Sequence, residues 1–310
     1  MSEYFDIICD NLDELRLNEC DVAKRRVLEL NELAEHTAPI LLRYLDDGLG
    51  VYDGLSVVRE GISFDNGVID APESLEILSG LAPSTDSFDK IIFSKLLLSS
   101  LNKVGKRITE SDFLEGTPRS ESFTYVRNAF SDEAYDVFSQ DYFDPRVRYS
   151  NTLKECERLL LDGEVDYCIL PLEERGGVRL HSTTDFIFRN DFKINSVTSV
   201  FGFDSSQDLK YALISKHFTI PPLAPDTDRY LELRLSQDKS DSLFSLLYAI
   251  RQLGMSVYRI NTLTFDIEGG ENSYFSIVVR DEGKDYTPLF TYLGLFEDEC
   301  DAVGVYKNLE

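Results

Sequence analysis

No apolar run in this chain approaches the roughly 20 residues that a membrane-spanning helix needs. Positive charge is also scarce: 31 Lys and Arg stand against 56 Asp and Glu, for a net charge of −25. Nucleic acids and anionic membranes are polyanions, so this balance argues against both as partners. It argues less against a small dianionic substrate, which feels only the local field. Cysteines are few and scattered (Cys9, Cys20, Cys156, Cys168 and Cys300), with no CxxC spacing and no secretory leader. That usage predicts a reducing, cytoplasmic setting. What is present is the material of a folded protein. Of 310 residues 43% are apolar and 12% aromatic, enough for two or three domains with sizeable cores.

The most informative stretch is Thr152 to Leu180, TLKECERLLLDGEVDYCILPLEERGGVRL. Leu153, Cys156, Leu159 and Leu160 recur at helical spacing. Asp162-Gly163 ends that helix, because glycine accepts the left-handed cap conformation. Val165 to Leu170 is short, apolar and β-rich, as a strand buried on both faces would be. Pro171 is expected to end the ladder. Glu173, Glu174, Arg175, Gly176 and Gly177 then crowd the strand's carboxyl end, where open α/β sheets bind ligands.

Gly163, Asp166, Pro171 and Glu173 stand in register with the G-x-x-D-x-x-x-x-P-I-E-N segment of the prephenate dehydratase family. Phe130-Ser131-Asp132-Glu133-Ala134 is similar to that family's aromatic-Ser-acid/His-x-Ala helix start. From about Glu121 onward the chain therefore resembles a dehydratase domain followed by an ACT regulatory domain. The resemblance implies a site built from Ser131, Glu173, Glu174, Lys210 and Tyr211, with no cofactor and no metal.

The same comparison exposes departures. The family's Thr-Arg-Phe falls on Leu209-Lys210-Tyr211. Leu209 cannot donate the proton that the Thr hydroxyl is taken to supply. Lys210 keeps a charge but loses the flat fork that grips a carboxylate. Glu174 replaces an amide donor and would repel a dicarboxylate unless protonated or paired with Arg175 or Arg179. Between Lys193 and Leu209 there is room for a strand and a turn, not for the family's second α/β lobe. One wall of the substrate cleft is therefore expected to be missing. Alternative assignments are that Ser131 caps a helix, Glu173 pairs with a neighbouring arginine and Tyr211 fills core. His181 and His217 fall on no family position and are assigned structural or solvated places.

Three regions are expected. Residues 1–115 are mainly helical and of unknown role. Val22, Val27, Leu30, Leu33 and Ala34 are expected to face inward, and Pro39 to sit near the start of a second helix closed near Gly48. Asp65-Asn66-Gly67 reads as a hairpin turn. Ser84 to Asp86 reads as the cap of a helix carrying Phe88, Ile91, Ile92, Leu96, Leu97 and Leu101, ending at Gly105. Glu29, Glu32, Glu35 and His36 lack metal-ligand spacing and read as a solvated acidic face. Lys103, Lys106 and Arg107, followed by the capping-box-like Thr109-Glu110-Ser111-Asp112, hint at a helix-turn-helix, against which the surrounding acidity argues. This region also lacks the ordered cations of a mutase domain.

Residues 121–220 alternate strand and helix as a truncated single α/β lobe, resembling one lobe of a dehydratase fold related to periplasmic binding proteins. Residues 228–310 read as βαββαβ, the ferredoxin-like plan, and here resemble an ACT domain. That resemblance places possible amino-acid contacts at Asp241, Ser242 and Leu243, and at Asn261 and Thr262. The leading expectation is a prephenate dehydratase-related but non-catalytic homodimer, paired through its ACT-like domain. It would bind an aromatic amino acid or a prephenate-like molecule. The competing expectation is an active carbon–oxygen lyase making phenylpyruvate for phenylalanine biosynthesis under feedback control. A third is an interaction scaffold without a small ligand.

Overall fold

The computed structural model describes residues 2–62, 87–116, 120–174, 177–201, 208–223, 228–267, 270–297 and 299–309. It is a mixed α/β structure with a helical N-terminal region and one mixed sheet. Two compact units emerge: Met1–Thr109 with Thr287–Glu297, and Glu110–Tyr286 with Asp298–Glu310. The hairpin and helix-cap readings at 65–67 and 84–86 lie outside the described residues. No helix among the described residues is long and apolar enough to cross a membrane.

The first unit is helical: α1 (Ser2–Asp46), α2 (Val51–Ile62) and α3 (Ser87–Lys103), with α8 (Thr287–Phe296) from far along the chain. Several expectations are corrected here. Pro39 lies inside α1 instead of opening a second helix. Proline removes one hydrogen bond from the helix, but the buried stripe of Leu30, Leu33, Ala34, Ala38 and Leu41 runs across it and holds the helix continuous. Val22 and Val27 are exposed, so the apolar stripe begins only at Leu30. Phe88 is likewise exposed, while Ile91, Leu97 and Leu101 are buried. Helix α8 is apolar on every side and buried from Leu289 to Leu295, with Phe296 edge-on to Phe93. Ser111 and Asp112 open no helix: Glu110–Phe113 is a single 3-10 turn, which removes the helix-turn-helix reading.

The second unit holds β1 (Ser122–Val126), α4 (Ala129–Phe138), β2 (Arg146–Ser150), α5 (Leu153–Leu161), β3 (Tyr167–Glu174), β4 (Val178–Arg179), α6 (His181–Arg189), β5 (Lys193–Phe201) and β6 (Asp208–Ser215). It continues with β7 (Arg229–Ser236), α7 (Ser240–Gln252), β8 (Ser256–Ile267), β9 (Gly270–Arg280) and β10 (Cys300–Leu309). The strand order is β2-β1-β3-β6-β5-β10-β7-β9-β8, with β4 paired to β3. β1, β2 and β3 are parallel and joined by helices, as right-handed crossovers require. β5 and β6 form an antiparallel pair. The last four strands are antiparallel with β7 and β9 central, the ferredoxin-like arrangement of a βαββαβ order.

Helices cover both faces of the first half. Cys156, Leu159 and Leu160 of α5 and Phe186, Ile187 and Phe188 of α6 pack on Cys168, Leu170, Leu172, Ala212 and Ile214. Ala134 and Phe138 of α4 pack on the other face, against Tyr167, Ile169, Tyr211 and Leu213. Helix α5 is capped as its residues dictate: the Thr152 side chain accepts from the Glu155 N–H, and Gly163 takes a positive φ of 68° after the C-cap Asp162.

Two devices bind the strands into one sheet. Arg229 is wholly buried, donating to Asp281 Oδ2 at 2.7 Å, both Glu110 carboxylate oxygens at 2.7 and 2.8 Å, and the Pro221 and Lys284 carbonyls. The second is the parallel pairing of β10 with β5, which carries the sheet past residue 220. There Gly304 faces Ile194, and any Cβ on it would run into the Ile194 carbonyl. A glycine is needed at that close approach. Gly304→Ala is expected to lower stability by about 1–3 kcal/mol, the usual overpacking cost. Urea unfolding followed by far-UV circular dichroism would measure it; an unchanged midpoint would mean the seam is not tight.

Candidate functional site

Proline shapes the site locally. Contrary to the expectation that Pro171 ends the ladder, β3 continues through it to Glu174, with Pro171 opposite Tyr211 and Glu173 opposite Lys210. Two residues of β3 thus span one step of β6, a bulge at Leu172. Prolines in sheets gather at bulges because they have no N–H for the ladder. Thr183 steadies this one by donating to the Pro171 carbonyl at 2.6 Å.

The bulge decides where Glu173 points. Along a regular strand it would share the face of Pro171 and Tyr211. With the extra residue it faces the same side as Lys210, Leu172 and Ala212 instead. There it is 2% exposed. The Arg259 guanidinium grips it with a two-pronged fork, Nη2 on Oε1 and Nη1 on Oε2, and Arg179 Nε lies 3.3 Å from Oε1. Arg179 is shared with the buried Glu232, which also accepts from Ser276 at 2.9 Å and Tyr306 at 3.2 Å. Burial works against the charge on Arg179, but the Glu232 and Glu173 carboxylates outweigh it and hold its pKa above the usual value. Burial, aided by Glu232, pushes the Tyr306 phenol well up, so it donates as a neutral hydroxyl. Two carboxylates and two guanidiniums balance.

The sequence-predicted residues consequently fall into separate places. Glu173 and Lys210 line one small cleft, with Leu172, Val197, Tyr230, Tyr258, Arg259, Val278 and Tyr306, of about 40 Å³. Ser131 and Tyr211 line another, with Asn128, Leu153, Pro171 and Thr183, of about 190 Å³. Helices α4, α5 and α6 begin around this second cavity, yet its polar groups are spent on structure. Asn128 Oδ1 accepts from the Phe130 and Ser131 N–H groups, and the Ser131 hydroxyl completes the capping box with the Asn128 N–H while bonding the Val126 carbonyl. Burial raises the Tyr211 pKa, with Asn128 opposing, so its phenol stays protonated. Glu174 is exposed at the end of β3, and Arg175 lies outside the described residues.

The second predicted set is dispersed too. Ser242 and Leu243 sit half-buried in the first turn of α7, and the Asp241 side chain lies outside the described residues. Asn261 and Thr262 are midway along β8, Asn261 with its Nδ2 buried and unbonded, Thr262 exposed. His181 is the exposed first residue of α6, and half-buried His217 stacks close over Gly116. Among the described residues no group of three or more His, Cys, Asp or Glu side chains is placed to hold a metal ion. Sequence reasoning missed Arg259, Arg179 as a buried partner, Glu232 and Tyr306. The only signal was that charged residues interrupt otherwise apolar strands.

No protein-family model and no curated protein sequence matches this chain. Among solved structures, the prephenate dehydratase of Streptococcus mutans is similar over 62% of this chain and 100% of its own, at 13% identity and a TM-score of 0.49. GqqA, described as a novel type of quorum-quenching acylase, is similar over 61% and 95%, at 17% identity and a TM-score of 0.45. The prephenate dehydratase of Arthrobacter aurescens, solved in complex with L-Phe, is similar over 60% and 89%, at 12% identity and a TM-score of 0.43. TM-scores below 0.5 do not by themselves assign an activity.

The ion cluster carries its own test. Glu173→Ala leaves the buried Arg179 and the partly buried Arg259 with one carboxylate between them, an expected loss of about 2–4 kcal/mol. Denaturant unfolding at neutral pH measures it. A loss under about 1 kcal/mol would mean that water reaches the cluster and Glu173 is not confined.

Proposed function

We propose that this protein is related to the prephenate dehydratases but does not catalyse the dehydration. On this reading it is a homodimeric binding or regulatory protein that takes an aromatic amino acid or a prephenate-like molecule. Residues 1–115 would form a helical region, 121–220 a reduced dehydratase-like part, and 228–310 an ACT-like part. The observation that carries the non-catalytic reading is Glu173, 2% exposed and gripped by the Arg259 fork with Arg179 Nε beside it. A carboxylate that must act on a substrate needs reach and a usable lone pair. Two further features support it. Leu209 replaces the hydroxyl donor, and Ser131 and Tyr211 line a different cavity from Glu173 and Lys210.

Support for the dimer comes from the sheet's end. β8 is the terminal strand of the order, and Val257 and Ile260 on it are exposed, as are Phe244 and Tyr248 on α7. Apolar side chains on an unpaired edge favour pairing with another strand.

A coupled assay is expected to find no phenylpyruvate formed from prephenate. Phenylalanine, tyrosine or prephenate is expected to raise the melting temperature, since a ligand of the folded state must do so. Turnover that Glu173→Gln abolishes would overturn the reading, and no thermal response to any of the three would leave only the scaffold role. For the dimer, sedimentation velocity is expected to give twice the 35.3 kDa chain mass. Ile260→Lys is expected to return it to the single-chain mass; a monomeric parent chain would remove the dimer.

A further inference from the structure

A further cavity, of about 330 Å³, lies at the amino-terminal end of β3 on the face that α4 covers. It shares no residue with the clefts at Glu173 and at Ser131. Ligand sites run from roughly 300 to 1,000 Å³, so this one suits a single small molecule and no polymer. Its inner wall is Phe138 at the end of α4, Tyr167 on β3 and Leu213 on β6, all buried. Tyr142 adds a half-buried ring, edge-on to Tyr167 with centroids 5.2 Å apart. Burial pushes both phenols up, so this wall carries no charge.

Two irregularities of the sheet bring polar groups to the same cavity. Ile194 and Ser196 of β5 pair with the consecutive Ile214 and Leu213 of β6, which leaves Asn195 as the extra residue of a bulge. Between Gly304 and Asn308, β10 gains one residue on β5, and Lys307 lies in that stretch. Bulges re-aim side chains and gather beside functional sites. Asn195 is spent on the loop after β6: Nδ2 donates to the His217 carbonyl at 3.1 Å and to the Thr219 hydroxyl, and Oδ1 accepts from Ser215 at 2.9 Å. Arg229 holds the Pro221 carbonyl of that loop at 3.0 Å. The wall that Thr219 and Pro221 supply is therefore set before any ligand arrives.

Asp141 and Lys307 are not spent in this way. Both line the cavity, Asp141 exposed and Lys307 half-buried, yet neither makes an ion pair or side-chain hydrogen bond with the described residues, including each other. One cation and one anion held apart beside aromatic rings complement a zwitterion that carries a ring of its own.

We propose that this cavity is where a free aromatic α-amino acid binds, which deepens the binding role proposed above and rests on it. Lys307 Nζ would donate to the carboxylate, Asp141 would accept from the ammonium, and the ring would lie against Phe138, Tyr142 and Tyr167. None of Ser131, Glu173, Lys210, Ser242 or Asn261, the positions that the family resemblances indicate, takes part. A dicarboxylate is disfavoured, because its second charge would meet Asp141.

Isothermal titration calorimetry on the full chain tests this with L-phenylalanine, 3-phenylpropionate and phenethylamine as probes. L-Phenylalanine is expected to bind at least about tenfold more tightly than either of the others, since each lacks one charge-assisted hydrogen bond. Lys307→Ala and Asp141→Ala should each weaken L-phenylalanine by about tenfold or more. Lys307→Ala should leave phenethylamine unchanged, and Asp141→Ala should leave 3-phenylpropionate no weaker, a split that mere loss of folding would not give. Asp136→Ala, exposed on α4 and outside the cavity, should change none of the three. L-Phenylalanine that binds but ignores both cavity substitutions, or binds no tighter than 3-phenylpropionate, would overturn this site and leave the binding role intact. Binding of prephenate without L-phenylalanine would do the same. No binding of L-phenylalanine, L-tyrosine or prephenate would overturn the role and the site together.

Discussion

The contact on which the second unit depends is the one between Glu173 on β3 and Arg259 on β8. In the strand order these are six steps apart. On a flat sheet, at about 4.8 Å per step, they would be separated by about 29 Å. A direct ion pair between them requires the sheet to curl until its first half and its last strand face each other. Ordinary strand twist supplies the direction of that curl. The Arg179–Glu232 pair, joining β4 to β7, closes the same gap one layer further in. Helix α6 occupies the hollow so made, with Arg234 of β7 donating to the Phe188 carbonyl and lying over the Phe188 and Tyr274 rings.

Burying three charges and most of a fourth to close a sheet is not the most stable solution available. Well-packed apolar residues of similar volume often do as well or better, because ions lose much of their hydration. Hydrophobic contacts, however, tolerate slippage. A two-pronged arginine–carboxylate fork does not, and it fixes the approach of β8 to β3 in both distance and orientation. Gly177 belongs to the same device. At its φ of +80° its carbonyl accepts from Arg259 Nη1 at 3.1 Å, and a side chain there would collide with that nitrogen. A register function for the cluster follows from its geometry, whatever the ligand.

Much of this architecture was legible in the chain. The 3.6-residue spacing of Leu153, Cys156, Leu159 and Leu160, the stop at Asp162-Gly163, and the alternation in Tyr230–Leu235 each report a local constraint, and local constraints are written locally. Pro39 and Pro171 misled for one reason. A missing N–H breaks an isolated segment, but each proline sits where buried neighbours continue the element and where one absent bond is tolerated. The Arg259–Glu173 pair was illegible because its partners are 86 residues apart and only the curl of the sheet brings them together. Arg229, likewise, reaches 119 residues back to Glu110.

The bulge at Leu172 connects these points. A change of one residue in register reverses the face that a strand presents. Had β3 remained regular, Glu173 would stand beside Tyr211, on the side of Ser131. The bulge instead delivers it to Arg259 and Arg179, and the same step that empties one cavity of its carboxylate supplies the anchor that closes the sheet. The order of Pro171 and Glu173 in the chain is blind to this reversal, since both arrangements have the same letters.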